Sequence, residues 1–232
     1  MLFLRFCHMR ANRIAYTLEM ETTHILAIRH GETDWNVATR IQGQIDIELN
    51  PQGLWQAQQV AKALADEQIQ AVYASDLSRA FVTAQHIASH HALEVSRIQP
   101  LRERHYGAFE GLTWEEIKQA HPADATRWHD RDPHWTPANG GESLWMLHAR
   151  VLHMVNDIAA RHLGQQIALV THGGVLDIIY RIATGQDLQV ARSWGLRNTA
   201  INRLLWTPQG LQLVGWADER HLDTDAREES ST

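Results

Sequence analysis

H-I-L-A-I-R-H-G-E-T (residues 24–33) and Q-I-A-L-V-T-H-G-G (residues 166–174) are two short apolar runs that each end in a histidine followed by glycine. A continuous apolar run of about five residues is the pattern of a strand buried on both faces, as in a parallel sheet. In open α/β sheets the ligand crevice lies outside the carboxyl ends of such strands. The two runs therefore predict that His30 and His172 emerge at one sheet edge, with Arg29 beside the first and Gly173 after the second. Imidazole next to guanidinium at a strand end suits an anion, most of all a phosphate.

Outward from these runs, strand and helix patterns alternate. Asn50-Pro51 places a cap and a first-turn proline before G-L-W-Q-A-Q-Q-V-A-K-A-L. A strand at 71–74 leads to a helix from Ser78 to about His91, and a further strand fits 93–98. Thr113 caps a short helix to Ala120, with Glu116 completing a capping box. Residues 122–142, rich in Pro, Asp, Asn and Gly, read as loop, and a long helix runs from Ser143 to Leu163. After the second histidine comes a helix from Gly173 to Thr184, then a hairpin around Pro208-Gln209-Gly210 at a sheet edge. The expected fold is α/β: three layers, α/β/α, with a mostly parallel central sheet.

One domain, residues 22–217, is expected to hold this fold. Residues 1–21 carry arginines among apolar residues without a clean period and are expected to be an extension outside it. Residues 218–232 hold six acidic residues against two arginines and read as a frayed tail. The single cysteine, Cys7, excludes an internal disulfide and suits a reducing, cytoplasmic setting. No stretch has the 18 or so apolar residues of a membrane span, so no membrane partner is expected. A net charge of -6 argues against general nucleic-acid binding and makes any phosphate site a local basic patch.

Four segments, I-R-H-G-E-T-x-W-N from Ile28, S-D-L-x-R-A-x-x-T-A from Ser75, L-R-E-R-x-Y-G-x-F-E-G from Leu101 and V-T-H-G-G from Val170, follow in order. Together they resemble the histidine phosphatase superfamily, in its phosphoglycerate mutase-like branch, over about residues 23–216. The resemblance implies that His30 is the nucleophile, that Glu103 is the proton donor, and that Arg29, Arg79 and His172 surround the phosphoryl group. It implies Asn36 as a further phosphate contact, with Thr33, Gln42, Gly43 and Tyr106 lining the pocket; Gly173, directly after His172, is a further substrate-binding candidate.

The chemistry is consistent with those roles. Phosphoryl transfer spreads charge over three equatorial oxygens, so positioned cations do most of the work. Arginine forks match phosphate oxygens and stay charged. A neutral His30 needs its second ring nitrogen tied to a carbonyl, which fixes the tautomer. No cofactor is required. A metal-dependent hydrolase with His30, His172 and Glu103 as ligands is the competing enzyme, but two adjacent arginines oppose a divalent cation. A non-enzymatic phospho-ligand sensor would have lost its nucleophile or acid, and both are present.

The expected function is hydrolysis of a small-molecule phosphate ester, with a 2,3-bisphosphoglycerate-dependent phosphoglycerate mutase as the alternative. Against the mutase, Trp114 stands where that pattern has a lysine. Only the separated Arg127 and Arg131 follow, with Asp124, Asp130 and Asp132 expected to offset them. Residues 107–142 and 194–198 are expected to shape the leaving-group pocket, where Trp114, Trp128 and Trp135 suit an apolar or aromatic group. The sequence leaves the ester and the oligomeric state open, a homodimer included.

Overall fold

Strand β1 (Thr23–Arg29) and strand β4 (Gln166–Thr171) lie side by side and parallel, with Arg29 opposite Thr171. This computed structural model describes residues 22–223. The expected N-terminal extension, residues 1–21, lies outside the described residues, as do residues 224–232. The remaining strands are β2 (Ile69–Ala74), β3 (Val95–Arg97), β5 (Ile201–Thr207) and β6 (Gly210–Asp218). They form one sheet in the order β3-β2-β4-β1-β5-β6, parallel as far as β1, with β5 and β6 running antiparallel as the expected edge hairpin.

The apolar runs are continuous because both faces are covered. On one face Leu26, Ile28, Ala168 and Val170 meet Val60 and Ala61 of α2 (Pro51–Ala63) and Ala80 and Ala84 of α3 (Ser78–Ser89). On the other, Ile25, Ala27, Ile167 and Leu169 meet Leu147 and Val151 of α6 (Leu144–Ala159) and Val175 and Leu176 of α7 (Gly173–Thr184). Truncating any of the leucines or isoleucines to alanine should cost roughly 2–5 kcal/mol. The helices that follow β1 and β4 thus go to opposite faces, and a crevice opens between the strand ends.

Caps fix where the helices start. Asn50 Oδ1 accepts the Gly53 amide at 2.8 Å ahead of α2, and Ser143 Oγ accepts the Met146 amide at 3.1 Å ahead of α6. At α4 (Trp114–Ala120) Thr113 and Glu116 form the expected capping box.

Three expectations need correction. The segment 122–142 is not all loop, because Pro122–His129 forms helix α5. Its Trp128 stacks on Phe109 at 5.4 Å and on Tyr106 at 5.1 Å, and its Ala125 is buried. Packing decides this helix where composition pointed to loop. The long helix ends at Ala159 rather than Leu163. The expected acidic tail begins inside the fold: Asp218 closes β6 and Arg220–Leu222 makes a 3₁₀ turn.

Candidate active site

His30 and His172 are the first residues past β1 and β4, and the His30 amide bonds the Thr171 carbonyl at 2.9 Å. Their ring centroids are 5.1 Å apart, tilted by 58°. His30 Nδ1 lies 2.6 Å from the Gly31 carbonyl. A carbonyl only accepts, so Nδ1 carries the proton and Nε2 carries the lone pair. Burial, more than the charges of Arg79 and Arg29, holds the His30 pKa well below its usual value. Burial, followed by Arg79, His30, Arg29 and Arg150, lowers the pKa of His172 likewise, and its ring nitrogens both lack a hydrogen-bond partner.

Arg79 enters from the first turn of α3 and is buried. Its Nη1 donates to the Ile45 carbonyl at 2.8 Å and its Nη2 to the Gly43 carbonyl at 2.7 Å, so the backbone holds the guanidinium in place. Burial lowers the Arg79 pKa to about 10, which leaves it cationic at neutral pH. Arg29 Nη1 donates to the Leu196 carbonyl. Two fixed cations beside a neutral imidazole form a preorganised seat for a phosphoryl group.

Glu103 sits against the amino end of α7. Its Oε1 accepts the Arg104 amide at 2.7 Å, and the Gly174 amide points at both oxygens, at 3.1 and 3.0 Å. The helix's positive end favours an anion there. A Cβ on Gly174 would come within 2.3 Å of Glu103 Oε1, so only glycine admits the carboxylate this close. Among the described residues no group of three His, Cys, Asp or Glu side chains is arranged to hold a metal ion.

A cavity of about 980 Å³ opens over the strand ends, lined by Arg29, Glu103, Tyr106 and Gly173 together with Arg104, Trp128, Arg131, Asp177, Arg192 and Asn198. His30 and His172 are chain neighbours of the lining residues Arg29 and Gly173 and are 3% and 0% exposed. Burial and the charge of Glu103 push the Tyr106 hydroxyl pKa up.

Other residues expected to line the pocket sit behind it. Thr33 caps the single turn α1 (Asp34–Val37), and its amide bonds Asn36 Oδ1 at 3.1 Å. Asn36 reaches the site through Asn198, whose Nδ2 lies 2.8 Å from the His30 carbonyl and 3.4 Å from Asn36 Oδ1. Gly43 acts through its carbonyl on Arg79; with φ at +52° and Glu110 Oε1 2.0 Å from a would-be Cβ, it has no room for a side chain. Gln42 is buried with Oε1 unpartnered, outside the cavity lining.

The leaving-group region is more polar than expected, with Arg104, Arg131 and Arg192 beside Asp177, Glu219 and Asp223. Of the three tryptophans only Trp128 lines the cavity, while Trp135 and Trp114 pack around Phe109 and Ile117. Arg131 is not offset by Asp124, Asp130 or Asp132: its Nη2 bonds Asp177 Oδ2 at 2.8 Å, across to α7. Sequence reasoning also missed Gly174, although the doubled glycine of V-T-H-G-G was its signal. Arg192 carried no such signal, since only the return of the chain brings it to the cavity, whereas Leu196 and Asn198 lie in the segment 194–198 expected to shape it.

Residues 25–219 match the histidine phosphatase superfamily, branch 1. The chain belongs to this superfamily. The phosphatase is 38% identical over 209 residues to the metal-independent phosphoserine phosphatase of Arabidopsis thaliana, covering 89% of this chain and 86% of that one. It is 39% identical over 213 residues to phosphoglycerate mutase-like protein 4 of the same plant, covering 88% and 89%. Among solved structures, Bacillus stearothermophilus YhfR superposes with a TM-score of 0.81 at 28% identity, covering 87% of the phosphatase and all of that chain. The phosphatase is a phosphoric monoester hydrolase of this α/β fold.

Proposed function

We propose that the phosphatase cleaves the monophosphate ester of a small, carboxylate-bearing alcohol through a phosphohistidine on His30. The observation that carries the reading is the His30 ring itself, buried, neutral and tied at Nδ1 to Gly31, so that Nε2 is the nucleophile. Nε2 attacks phosphorus as the ester P–O bond breaks, and Glu103 gives its proton to the departing oxygen. Arg29, Arg79 and His172 hold the equatorial oxygens. Water then attacks the phosphorus, Glu103 takes its proton, and the P–N bond breaks to release phosphate.

The carboxylate is suggested by the remaining lining. Arg104 lines the cavity in addition to the Arg29 and Arg79 of the phosphoryl seat, and its Nη2 is buried without a partner. Phosphoserine, on which the Arabidopsis relative acts by name, leaves as an alcohol with a carboxylate. Trp114 packs edge-on against Trp128 at 5.8 Å, outside the cavity lining, which favours hydrolysis over a mutase's second anion clamp. A reducing cytosol is the compartment we infer from the single cysteine.

A panel of phosphomonoesters, with acid quench of the turning-over enzyme, tests this. Acid-labile, base-stable phosphate on His30 and preference for carboxylate-bearing esters are expected. Full activity in His30→Ala would refute the mechanism.

A further inference from the structure

Asp177 stands on α7 four residues beyond Gly173, which places the two on one face of the helix. Its side chain is only 7% exposed and lines the cavity. The two carboxylate oxygens have unlike surroundings. Oδ2 accepts Arg131 Nη2 at 2.8 Å and Arg181 Nε at 3.1 Å. Oδ1 is buried and accepts nothing. A buried carboxylate oxygen left unpaired is costly, and a ligand that supplies an N–H or O–H relieves that cost.

The same cavity holds the complementary orphan. Arg104 Nη2 is buried and donates to nothing, while its Nε is fixed on the Glu142 carbonyl at 2.7 Å. Arg104 and Asp177 thus both line one cavity, each keeps one buried polar atom without a partner, and both act electrostatically on Tyr106. We propose that Asp177 is a specificity residue that accepts a hydrogen bond from a donor group on the leaving alcohol, while Arg104 takes its carboxylate. This rests on the proposed phosphatase reading and narrows its substrate to α-amino or α-hydroxy acid phosphates. Arg131 and Arg181 bond Asp177, and Tyr106 feels its charge. An ammonium and a hydroxyl share the donor chemistry, and the test separates them.

Three esters differ at one position: O-phosphoserine carries an ammonium next to the carboxylate, 3-phosphoglycerate a hydroxyl, and 3-(phosphonooxy)propanoate hydrogen. At least one of the first two should exceed the third in kcat/KM by about tenfold or more, because a site built around a substrate donor rejects the analogue without it. Whichever donor ester ranks higher names the donor. In Asp177→Asn the amide oxygen still accepts from the arginines and the amide nitrogen turns to the cavity as a donor. The preference should then fall to within about twofold. A general loss of activity cancels in the ratio, and Asp177→Ser is the second variant should the first not fold. Ratios near one in the wild type, or a preference that persists in a folded variant, overturn the proposal while leaving the phosphatase reading intact. Turnover of p-nitrophenyl phosphate with none of the three acids overturns the carboxylate reading and this proposal together.

Discussion

Glu103 and Gly174 meet across the crevice, the glycine amide lying 3.1 and 3.0 Å from the two carboxylate oxygens. The contact links the segment after β3 to the first turn of α7 and holds Glu103 in the lining of the cavity. It joins a residue in the third motif to one in the fourth, 71 positions apart in the chain.

Gly174→Ala should push Glu103 aside, since its Oε1 lies 2.3 Å from the new Cβ. Glu103 ends a flexible side chain, so the fold should survive with little change in melting temperature. Turnover of alkyl phosphates should fall toward the 10²–10⁴-fold that acid–base help supplies. Calorimetry beside steady-state kinetics checks this; unchanged kcat would show that Glu103 needs no such placement.

Glu103→Gln should slow alkyl phosphates by roughly 10²–10⁴-fold and p-nitrophenyl phosphate much less, because a phenolate departs without a proton. Measuring both substrates on one preparation decides it. Equal losses would restrict Glu103 to the hydrolysis of the intermediate or to structure.

Stability should fall as pH drops below about 6.5. His30 and His172 have folded pKa values well below that of the unfolded chain. Below the unfolded value the denatured chain binds protons that the native state refuses, so each histidine costs up to about 1.4 kcal/mol per pH unit until its folded pKa is reached. Urea unfolding at pH 7.5 and 5.5 measures the loss, and His172→Asn should make the dependence shallower. A pH-independent midpoint across this window would contradict the buried, neutral imidazoles.

Activity should survive EDTA, because Arg29 and Arg79 bring the positive charge that a metal would otherwise supply. Vanadate should inhibit competitively by occupying the same seat. Loss on chelation with recovery on adding a divalent ion would reverse this assignment.

With 3-phosphoglycerate and catalytic 2,3-bisphosphoglycerate, phosphate release should outrun formation of 2-phosphoglycerate. Arg131 is engaged by Asp177, so it is a poor second clamp for a bisphosphate. Isomerisation faster than release would make the chain a mutase, with Arg131 the first residue to replace.

The local sequence was enough for what depends on near neighbours. Period and length marked β1 and β4, since strands covered on both faces carry no polar alternation. The histidines that follow them had to emerge at the sheet's carboxyl edge. Asn50-Pro51 and Thr113 with Glu116 declared helix starts because capping bonds span only a few residues. Tertiary structure alone decided the rest. Helix α5 exists because Trp128 stacks on Phe109 and Tyr106, a gain that no window of composition contains. Gly43 serves Arg79 through a carbonyl, and a carbonyl is the same in every residue, so its sequence says nothing of that task. Asp177 and Arg104 each keep a free buried atom while Arg131 and Glu142 return from distant segments, and Arg181 from the next turn of α7, to bond their neighbouring atoms. Which polar atom stays unpaired is a property of the whole packed chain, and in this protein two such atoms belong to residues that line the cavity.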